Sequence, residues 1–266
     1  MPRTAQGNLG FERAGARTVV RTAYAESPLR LLTPRNHGRA AWAYTSTLGG
    51  GFVDGDRVRL RIAVGEGAQA FVSSQGATRI YRSPRGCESE VRAEVASGGA
   101  LVLMPDPLAC FAGARYRQRT ELELAHGASV LAWDVLSAGR CGERWAFEQC
   151  SLGLAVRRGG TTLVDERWLL DPAHGQLAER LGRFDALANL VVAGPLFAGL
   201  RERLTLDGRP AAPRAPVVIS ASHLADDAMV VRMAAISVEE LMRELRARLQ
   251  DIPLLLGDDP WARRAA

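Results

Sequence analysis

Cysteine and histidine are the side chains of this sequence best suited to binding a metal, but they are scattered along the chain. They are Cys87, Cys110, Cys141, Cys150, His37, His126, His174 and His223. Structural zinc sites use Cys-x-x-Cys pairs, and zinc proteases place two histidines one helical turn apart. Neither pattern occurs, so we expect no closed Cys/His metal site. We predict that the cysteines are small buried apolar residues.

The motifs for nucleophilic catalysis and for phosphate binding are absent as well. There is no Gly-x-Ser-x-Gly sequence, and a chain without lysine cannot form a Gly-x-x-x-x-Gly-Lys loop. The glycine-rich segment at residues 49–55 lies between two strand-like runs rather than between a strand and a helix. It therefore predicts a turn, and we do not expect this chain to hydrolyse nucleotides.

A pair of carboxylates offers one other route to catalysis. Asp134 and Glu143 could act on a glycosidic bond if their carboxyl groups lay roughly 5–9.5 Å apart in an open cleft. Such a cleft is lined by aromatic side chains, which make up 6% of this sequence. A β-stack polysaccharide hydrolase is therefore kept as the alternative function.

The composition is typical of a globular protein, with 47% hydrophobic and 24% charged residues among 266. The longest uncharged stretch, residues 186–200, is shorter than the ~18–20 residues of a membrane-spanning helix. The charged beginning of the sequence does not resemble a secretory signal. We expect a cytoplasmic protein that does not bind membranes.

All 34 basic residues are arginines, and they are interleaved with 29 acidic residues. Nucleic-acid-binding proteins instead cluster their basic residues on one face beside a known motif. The charge pattern therefore indicates a solvated surface, and we expect no nucleic-acid partner.

Residues 17–171 alternate apolar and polar side chains in short runs, which predicts a mainly β structure. A glycine-containing dipeptide recurs at intervals of 32, 28 and 32 residues, at Gly67-Ala68, Gly99-Ala100, Gly127-Ala128 and Gly159-Gly160. Each is flanked by two strands, so each unit is predicted to be a hairpin-like pair with a connector. Several units stacked together would bury a continuous face. An ordinary β-sandwich fits the same pattern and remains open.

The sequence changes in character after residue 171, and we predict one domain over residues 1–266, with a β-stack at 17–171 and a helix-containing part at 172–266. Apolar residues spaced by three or four predict helices at 176–190 and, less regularly, at 192–204. A proline-rich loop at 207–216 precedes strands at 217–221 and 229–234. Ser237 and Glu240 form a capping box for a helix that ends near residue 250.

Two segments of the first repeat resemble a known family. Residues 49–58 (GGGFVDGDRV) and 73–83 (SSQGATRIYRS) resemble the core motifs of the urease accessory proteins called UreD or UreH. Further similar segments lie at 27–30, 105–114, 133–134 and 139–143, in the family's order and over nearly the whole chain. The sequence differs from the family pattern at Ser73-Ser74, at Arg79, at Pro105-Asp106-Pro107 and at its end, where only Pro260-Trp261 remains.

The resemblance implies a non-enzymatic maturation factor that assists the insertion of two nickel ions into urease. Its implied partners are apo-urease, a helical adaptor of the UreF type and, through the adaptor, a GTPase of the UreG type. The implied fold is a right-handed superhelical stack of β-strands with a few helices, which agrees with the repeat. No cofactor is expected to be tightly bound, and nickel is expected only in transit.

A stack that passes nickel should carry acidic and hydroxyl side chains where apolar ones are expected, because transit requires weak, exchangeable ligands. The candidates are Asp56, Ser73, Ser74, Thr78, Asp134, Glu143 and Glu166. Structural roles for three of these residues remain open. Asp56 could close a hairpin, and Glu166 could pair with Arg167 at the surface. Glu143 could form a buried ion pair with Arg140, and removing one partner of such a pair would cost ~3–5 kcal/mol.

Protein interfaces favour aromatic side chains and arginine. The residues predicted on this basis to bind a partner are Tyr81, Arg82, Phe111, Tyr116 and Arg117. The alternative is that Tyr81 and Phe111 belong to the core of the stack.

Overall fold

The structure is a computed structural model that describes residues 4–35, 38–140, 142–205, 212–224 and 227–262. Its strands, in chain order, are β1 (Thr4–Ala14), β2 (Arg17–Ala25), β3 (Leu29–Leu32), β4 (Ala41–Thr47), β5 (Gly51–Phe52), β6 (Arg57–Val64), β7 (Gln69–Ser74), β8 (Thr78–Ile80), β9 (Cys87–Val95), β10 (Ala100–Leu103), β11 (Leu108–Cys110), β12 (Arg115–Leu124), β13 (Ser129–Ser137), β14 (Gln149–Arg158), β15 (Thr161–Leu170), β16 (Ala186–Ala193), β17 (Val217–His223) and β18 (Ala228–Ala235). Its α-helices are α1 (Leu177–Leu181), α2 (Ala198–Leu204), α3 (Val238–Arg248) and α4 (Ile252–Leu256).

The strands form two sheets. Sheet A has the order β15-β14-β12-β9-β6-β1-β2, and sheet B has the order β17-β18-β16-β13-β10-β7-β4-β3, with β5, β8 and β11 joined to its side. The central strands of each sheet are parallel: β6, β9, β12 and β14 in sheet A, and β4, β7, β10 and β13 in sheet B. The predicted mainly β, stacked architecture is confirmed.

The glycine dipeptides of the repeat mark the turns at which the chain passes between the sheets. Gly67 and Gly127 adopt positive φ angles of 61° and 74° in these turns. Consecutive turns are hydrogen-bonded to each other, since the Ser129 N–H donates to the Gly99 carbonyl at 2.9 Å. The strands on either side of the first three dipeptides lie in different sheets, so the predicted hairpin-like pairing is wrong there. Only the fourth dipeptide joins an antiparallel pair, β14 and β15.

Alternation along the strands of sheet A separates a charged outer face from an apolar inner face. In β6, Val58, Leu60, Ile62 and Val64 are buried between the sheets and the arginines are exposed. The outer arginines meet acidic residues of neighbouring strands, for example Arg59 with Glu90 and Arg92 with Glu121, each at 3.2 Å. Such exposed pairs contribute about 0–1 kcal/mol each. Their main effect is to neutralise this face locally.

The helices cover the outer face of sheet B and create a second apolar core. Trp133 of β13 and Phe197, which precedes α2, lie in this core with Leu241 and Leu245 of α3. Trp261 packs against Trp133 with 5.7 Å between ring centroids, so the remaining part of the C-terminal motif has a structural role. No helix in the described part of the chain is long and apolar enough to span a bilayer.

The predicted helix at 176–190 is wrong beyond residue 181. Helix α1 ends at Gly182, which has a φ of 57°, and the chain then enters β16. This strand is buried on both faces because the inter-sheet core lies on one side and the helix-covered core on the other. A strand buried on both faces loses the alternation that identifies strands in a sequence.

The remaining C-terminal predictions are largely confirmed. The helix predicted at 192–204 begins later, at residue 198, because β16 extends to residue 193. Strands β17 and β18 and helix α3 occur as predicted, and the Ser237 Oγ accepts a hydrogen bond from the Glu240 N–H at 3.2 Å. Residues 206–211 of the predicted loop lie outside the described residues.

Gly51 lies where β5 approaches β8 most closely. A Cβ at this position would lie 2.2 Å from the Arg79 carbonyl oxygen, so the backbone would have to shift. We expect Gly51→Ala to lower the free energy of unfolding by about 1–3 kcal/mol, the usual cost of overpacking. The matched control is Gly76→Ala, because a Cβ there meets nothing within 4 Å. Chemical denaturation of both variants checks this, and equal stabilities would contradict the expected clash.

Candidate functional site

A cavity of about 480 Å³ lies between the two sheets. The mouth of the cavity is formed by those lining residues that are exposed to solvent. They are Gly50, Arg79 and residues 75–77, which connect β7 to β8. Apolar residues such as Leu60, Val72 and Leu154 line much of its interior. The polar side chains within it therefore stand out against an apolar wall.

The polar residues of sheet B form a row across its inner face, which we call the polar row. Thr45 of β4 is paired in register with Ser74 of β7, and Asp134 of β13 is paired with Asn189 of β16, which is paired in turn with Arg232 of β18. Residues paired in this way project from the same face of a sheet. The row consequently runs from the wall of the cavity to β18, the strand next to the edge of sheet B.

Ser74 and Asp106 form the outer part of the polar row. The Ser74 Oγ donates to an Asp106 carboxylate oxygen at 3.1 Å and accepts from the Asp106 N–H at 2.7 Å. The Ser73 Oγ donates to the Met104 carbonyl at 2.6 Å. Both serines are buried and, with the half-buried Thr78, they contribute to the cavity wall.

Sheet A contributes a second group of polar side chains to the cavity. The hydroxyl of Tyr116 in β12 donates to the Gln118 Oε1 at 3.1 Å, and the Gln118 Nε2 donates to the Asp134 Oδ1 at 2.5 Å. Ser89 and Thr120 lie beside them in the wall. Asp134 is thus held from the opposite sheet by a chain of two hydrogen bonds.

Asp134 is the most perturbed carboxyl group of the site. It is 7% exposed, and burial raises its pKa to about 7, although the hydrogen bond from Gln118 acts to lower it. In the described part of the chain, no arginine forms an ion pair with it. Near neutral pH the cavity therefore contains a carboxyl group that readily takes up or releases a proton, and whose negative charge would be favoured by a nearby cation.

Four of the seven predicted metal candidates line this cavity: Ser73, Ser74, Thr78 and Asp134. Asp56, Glu143 and Glu166 do not. Asp56 caps a turn by accepting the Val53 N–H at 2.9 Å. Glu166 is paired through both oxygens with Arg232, with 3.0 Å between Oε2 and the Arg232 Nε, whereas Arg167 pairs with Asp165.

Glu143 lies in the loop after β13, outside the cavity wall. It accepts the Ala112 N–H at 3.0 Å and pairs with Arg140. The backbone hydrogen bond and the guanidinium both hold its pKa below the usual range. Since the Arg140 side chain is 65% exposed, the suggestion of a buried Arg140–Glu143 pair is wrong. Asp134 and Glu143 do not share a cleft, so the hydrolase alternative is not favoured.

The residues predicted to bind a partner separate into two environments. Tyr116 is 4% exposed and lines the cavity, so its predicted place in a surface patch is wrong. Arg117 is exposed on the outer face of sheet A. Tyr81 and Phe111 are half-buried neighbours with 5.5 Å between their ring centroids, and Arg140 lies over the Phe111 ring at 5.7 Å.

The three cysteines that the structure describes are buried, as predicted. Cys87, Cys110 and Cys150 are buried and not joined by a disulfide, and Cys141 and His37 lie outside the described residues. Among the described residues, no group of three or more His, Cys, Asp or Glu side chains is placed to hold a metal. Any metal binding in the cavity would therefore use few protein ligands.

Sequence reasoning missed Gln118, Asp106 and Asn189. Asn189 does carry a signal, because it occupies an inward-facing position of its strand between the apolar Leu187 and Val191. The inward-facing neighbours of Gln118 are Tyr116 and Thr120, so its signal is weaker. Asp106 follows β10 in a loop, and only the folded structure places it beside Ser74.

Comparisons with known proteins agree with one another. A family model described as UreD urease accessory protein matches residues 3–264. The urease accessory protein UreD of Sorangium cellulosum (strain So ce56) is 48% identical over 260 residues, which are 97% of this chain and 83% of that protein. UreD of Anaeromyxobacter sp. (strain Fw109-5) is 38% identical, covering 98% and 90%. Urease accessory protein D of Oryza sativa subsp. japonica is 27% identical, covering 98% and 95%.

Proposed function

The chain belongs to the UreD family of urease accessory proteins, and we propose on this basis that it is a non-catalytic scaffold for the nickel centre of urease. It binds apo-urease and a helical adaptor of the UreF type, and the adaptor links it to a GTPase of the UreG type. The absence of a phosphate-binding loop from the sequence fits this division of work, because the partner then supplies GTP hydrolysis.

We further propose that nickel passes through the cavity between the sheets. The observation that carries this proposal is Asp134, a buried carboxyl group in the cavity wall without an ion-pair partner among the described residues. The hydroxyl groups of Ser74 and Thr78 and the carboxylate of Asp106 line the same cavity. Oxygen ligands of this kind bind a divalent cation weakly enough for it to be released.

Co-expression with the other urease proteins tests the scaffold function. We expect the chain to co-purify with the adaptor as a defined complex, and this complex to bind apo-urease. We also expect active urease to form in a nickel-supplied host only when this chain is present. Failure to bind both the adaptor and urease, or urease activation that is equal without the chain, would contradict the proposal.

The partner surface is proposed to include the cluster formed by Tyr81, Phe111 and Arg140, with Arg82 beside it. Aromatic and arginine residues that are only partly buried in the free protein are typical interface anchors. We expect Phe111→Ala to weaken binding of the adaptor or of urease by roughly tenfold or more, the loss typical of an interface anchor. Surface plasmon resonance with each partner measures it.

The matched control for this surface is Leu169→Ala. Leu169 is a 51% exposed apolar residue of the edge strand β15, and truncating it should leave both affinities unchanged. Circular dichroism of the two variants ensures that the comparison is made on folded protein. Equal affinities of Phe111→Ala and the parent chain for both partners would place the interface elsewhere.

A further inference from the structure

The outer face of sheet B is uncovered at its β3 edge. Helix α3 packs on β16, β17 and β18, and helix α4 packs on β7. Leu29 and Leu31 of β3 pack toward the core between the sheets, so the alternate residues Arg30 and Leu32 project from the outer face. Leu32 is 40% exposed. This end of the face therefore lies beyond the cover that the helices provide.

Three apolar side chains meet on this uncovered face. Leu32 is paired in register with the half-buried Tyr44 of β4, which packs on the helix-covered core. Leu48 follows β4 and is 45% exposed. Its N–H donates to the Pro28 carbonyl at 2.9 Å, which keeps it beside the start of β3. Arg30 lies on β3 between these two pairs. We call Arg30, Leu32, Tyr44 and Leu48 the β3 patch.

The segment that contains the β3 patch departs from the even charge balance of the chain. Residues 14–53 contain five arginines and a single acidic residue, Glu26. Arg30 of the patch, Arg35 after β3 and Arg39 before β4 are exposed, and none of them forms an ion pair with a residue that the structure describes. A field of one sign attracts a partner of the opposite sign. The charge of this surface therefore favours an acidic partner.

We propose that the β3 patch is a docking surface for a partner protein whose own surface is apolar and bordered by carboxylates. Leu32 and Leu48 supply the apolar contact, Tyr44 supplies an aromatic anchor, and Arg30 binds a carboxylate of the partner. Tyrosine and arginine are typical interface anchors, and a guanidinium can bind a carboxylate through two parallel hydrogen bonds.

A second copy of this chain does not fit the β3 patch. A two-fold symmetric dimer brings the same surface of both copies together. The arginines of the segment would then face arginines, and like charges brought together across an interface oppose association. The occupant is therefore a different protein, and the proposed function supplies the two candidates for the test, the helical adaptor and apo-urease.

Surface plasmon resonance with the adaptor and with apo-urease, each in a separate experiment, tests the β3 patch. We expect Arg30→Glu to weaken binding of at least one of them by roughly tenfold or more, mainly through slower association, because it sets like charges opposite each other. Leu32→Ser, which removes apolar contact without changing the charge, should weaken binding of the same partner. Added salt should weaken binding of the parent chain more than that of Arg30→Glu.

The matched control is Arg61→Glu. Arg61 is an exposed arginine of β6 on the outer face of sheet A, and it also forms no ion pair with a described residue. Reversing its charge should leave both affinities unchanged. Circular dichroism of all three variants ensures that folded proteins are compared. An equal loss of affinity in Arg61→Glu and Arg30→Glu would show a general effect of net charge and overturn the patch.

The remaining outcomes separate the β3 patch from the proposed function. A parent chain that binds both partners, with Arg30→Glu and Leu32→Ser binding them equally well, overturns the patch and leaves the proposed function standing. A parent chain that binds neither partner overturns both. Self-association of the parent chain that Arg30→Glu abolishes in sedimentation velocity, with both partner affinities unchanged, would assign the patch to a second copy and overturn the proposal.

Discussion

At pH 8 the Asp134→Asn variant is expected to unfold at a higher denaturant concentration than the parent chain. The urease activity that it produces is expected to be lower by roughly tenfold or more, the loss usual when a metal-binding position is altered. The amide has nearly the shape of the carboxylate and still accepts the hydrogen bond from the Gln118 Nε2. It removes a buried negative charge and, with it, the carboxylate oxygens that we propose to contact nickel. Stability and function should therefore change in opposite directions.

The gain in stability should depend on pH because burial raises the pKa of Asp134 to about 7 from an ordinary value of 3.8. Between these values the folded chain keeps a proton that the unfolded chain has released, so the parent chain loses stability as the pH rises through this window. The loss approaches its full value about one pH unit above the folded pKa, near pH 8. The advantage of Asp134→Asn should thus be near zero at pH 4 and roughly 4 kcal/mol at pH 8, since one pKa unit corresponds to about 1.4 kcal/mol.

Urea denaturation at several pH values, together with urease activity after co-expression, measures both effects. Thr120→Val serves as the control, since it alters the same cavity wall without changing a charge. An Asp134→Asn chain that gains no stability between pH 5 and pH 8 would show that Asp134 is solvated or paired in the folded protein. Full urease activation by this variant would contradict a nickel path that uses Asp134.

The stacked architecture could be predicted because its central strands obey simple patterns. The residues from Val58 to Val64 alternate between a solvent-exposed face and a buried face. The turns near Gly67, Gly99 and Gly127 recur at the spacing of the stacked units. Whether two consecutive strands pair with each other or pass between sheets depends on long-range packing. The sequence pattern around a turn does not contain that information, and the hairpin prediction therefore failed.

The candidate site was predictable where a polar residue interrupts an apolar face. Ser74 and Asp134 were found in this way, and Asn189 shows the same signal. Asp56 and Glu143 were chosen by the same criterion, as acidic residues on or beside predicted strands, but the structure uses both in local hydrogen bonds. A carboxylate near a turn can accept hydrogen bonds from nearby backbone N–H groups. The presence of Asp or Glu there does not by itself indicate a metal ligand.

Trp133→Ala should be among the most damaging single substitutions in the chain. The Trp133 side chain is 1% exposed in the helix-covered core, packs against Trp261, and donates its indole N–H to the Pro105 carbonyl at 2.7 Å. Truncating a buried tryptophan to alanine usually costs about 3–5 kcal/mol, because apolar contacts are lost and a cavity remains. We expect a corresponding fall in the free energy of unfolding, measured by urea denaturation.

Trp133→Phe is the matched control, because it keeps an aromatic ring and removes the indole N–H. Trp133→Phe should lower the free energy of unfolding by a smaller amount, about 1–3 kcal/mol, because the Pro105 carbonyl loses its indole donor. Trp133 and Asp134 are consecutive residues of β13 and therefore face opposite sides of sheet B, one toward the helices and the other toward the cavity. Substitutions at these two neighbours should consequently change stability in opposite directions at pH 8, and a destabilised Asp134→Asn chain would contradict this assignment of faces and charge.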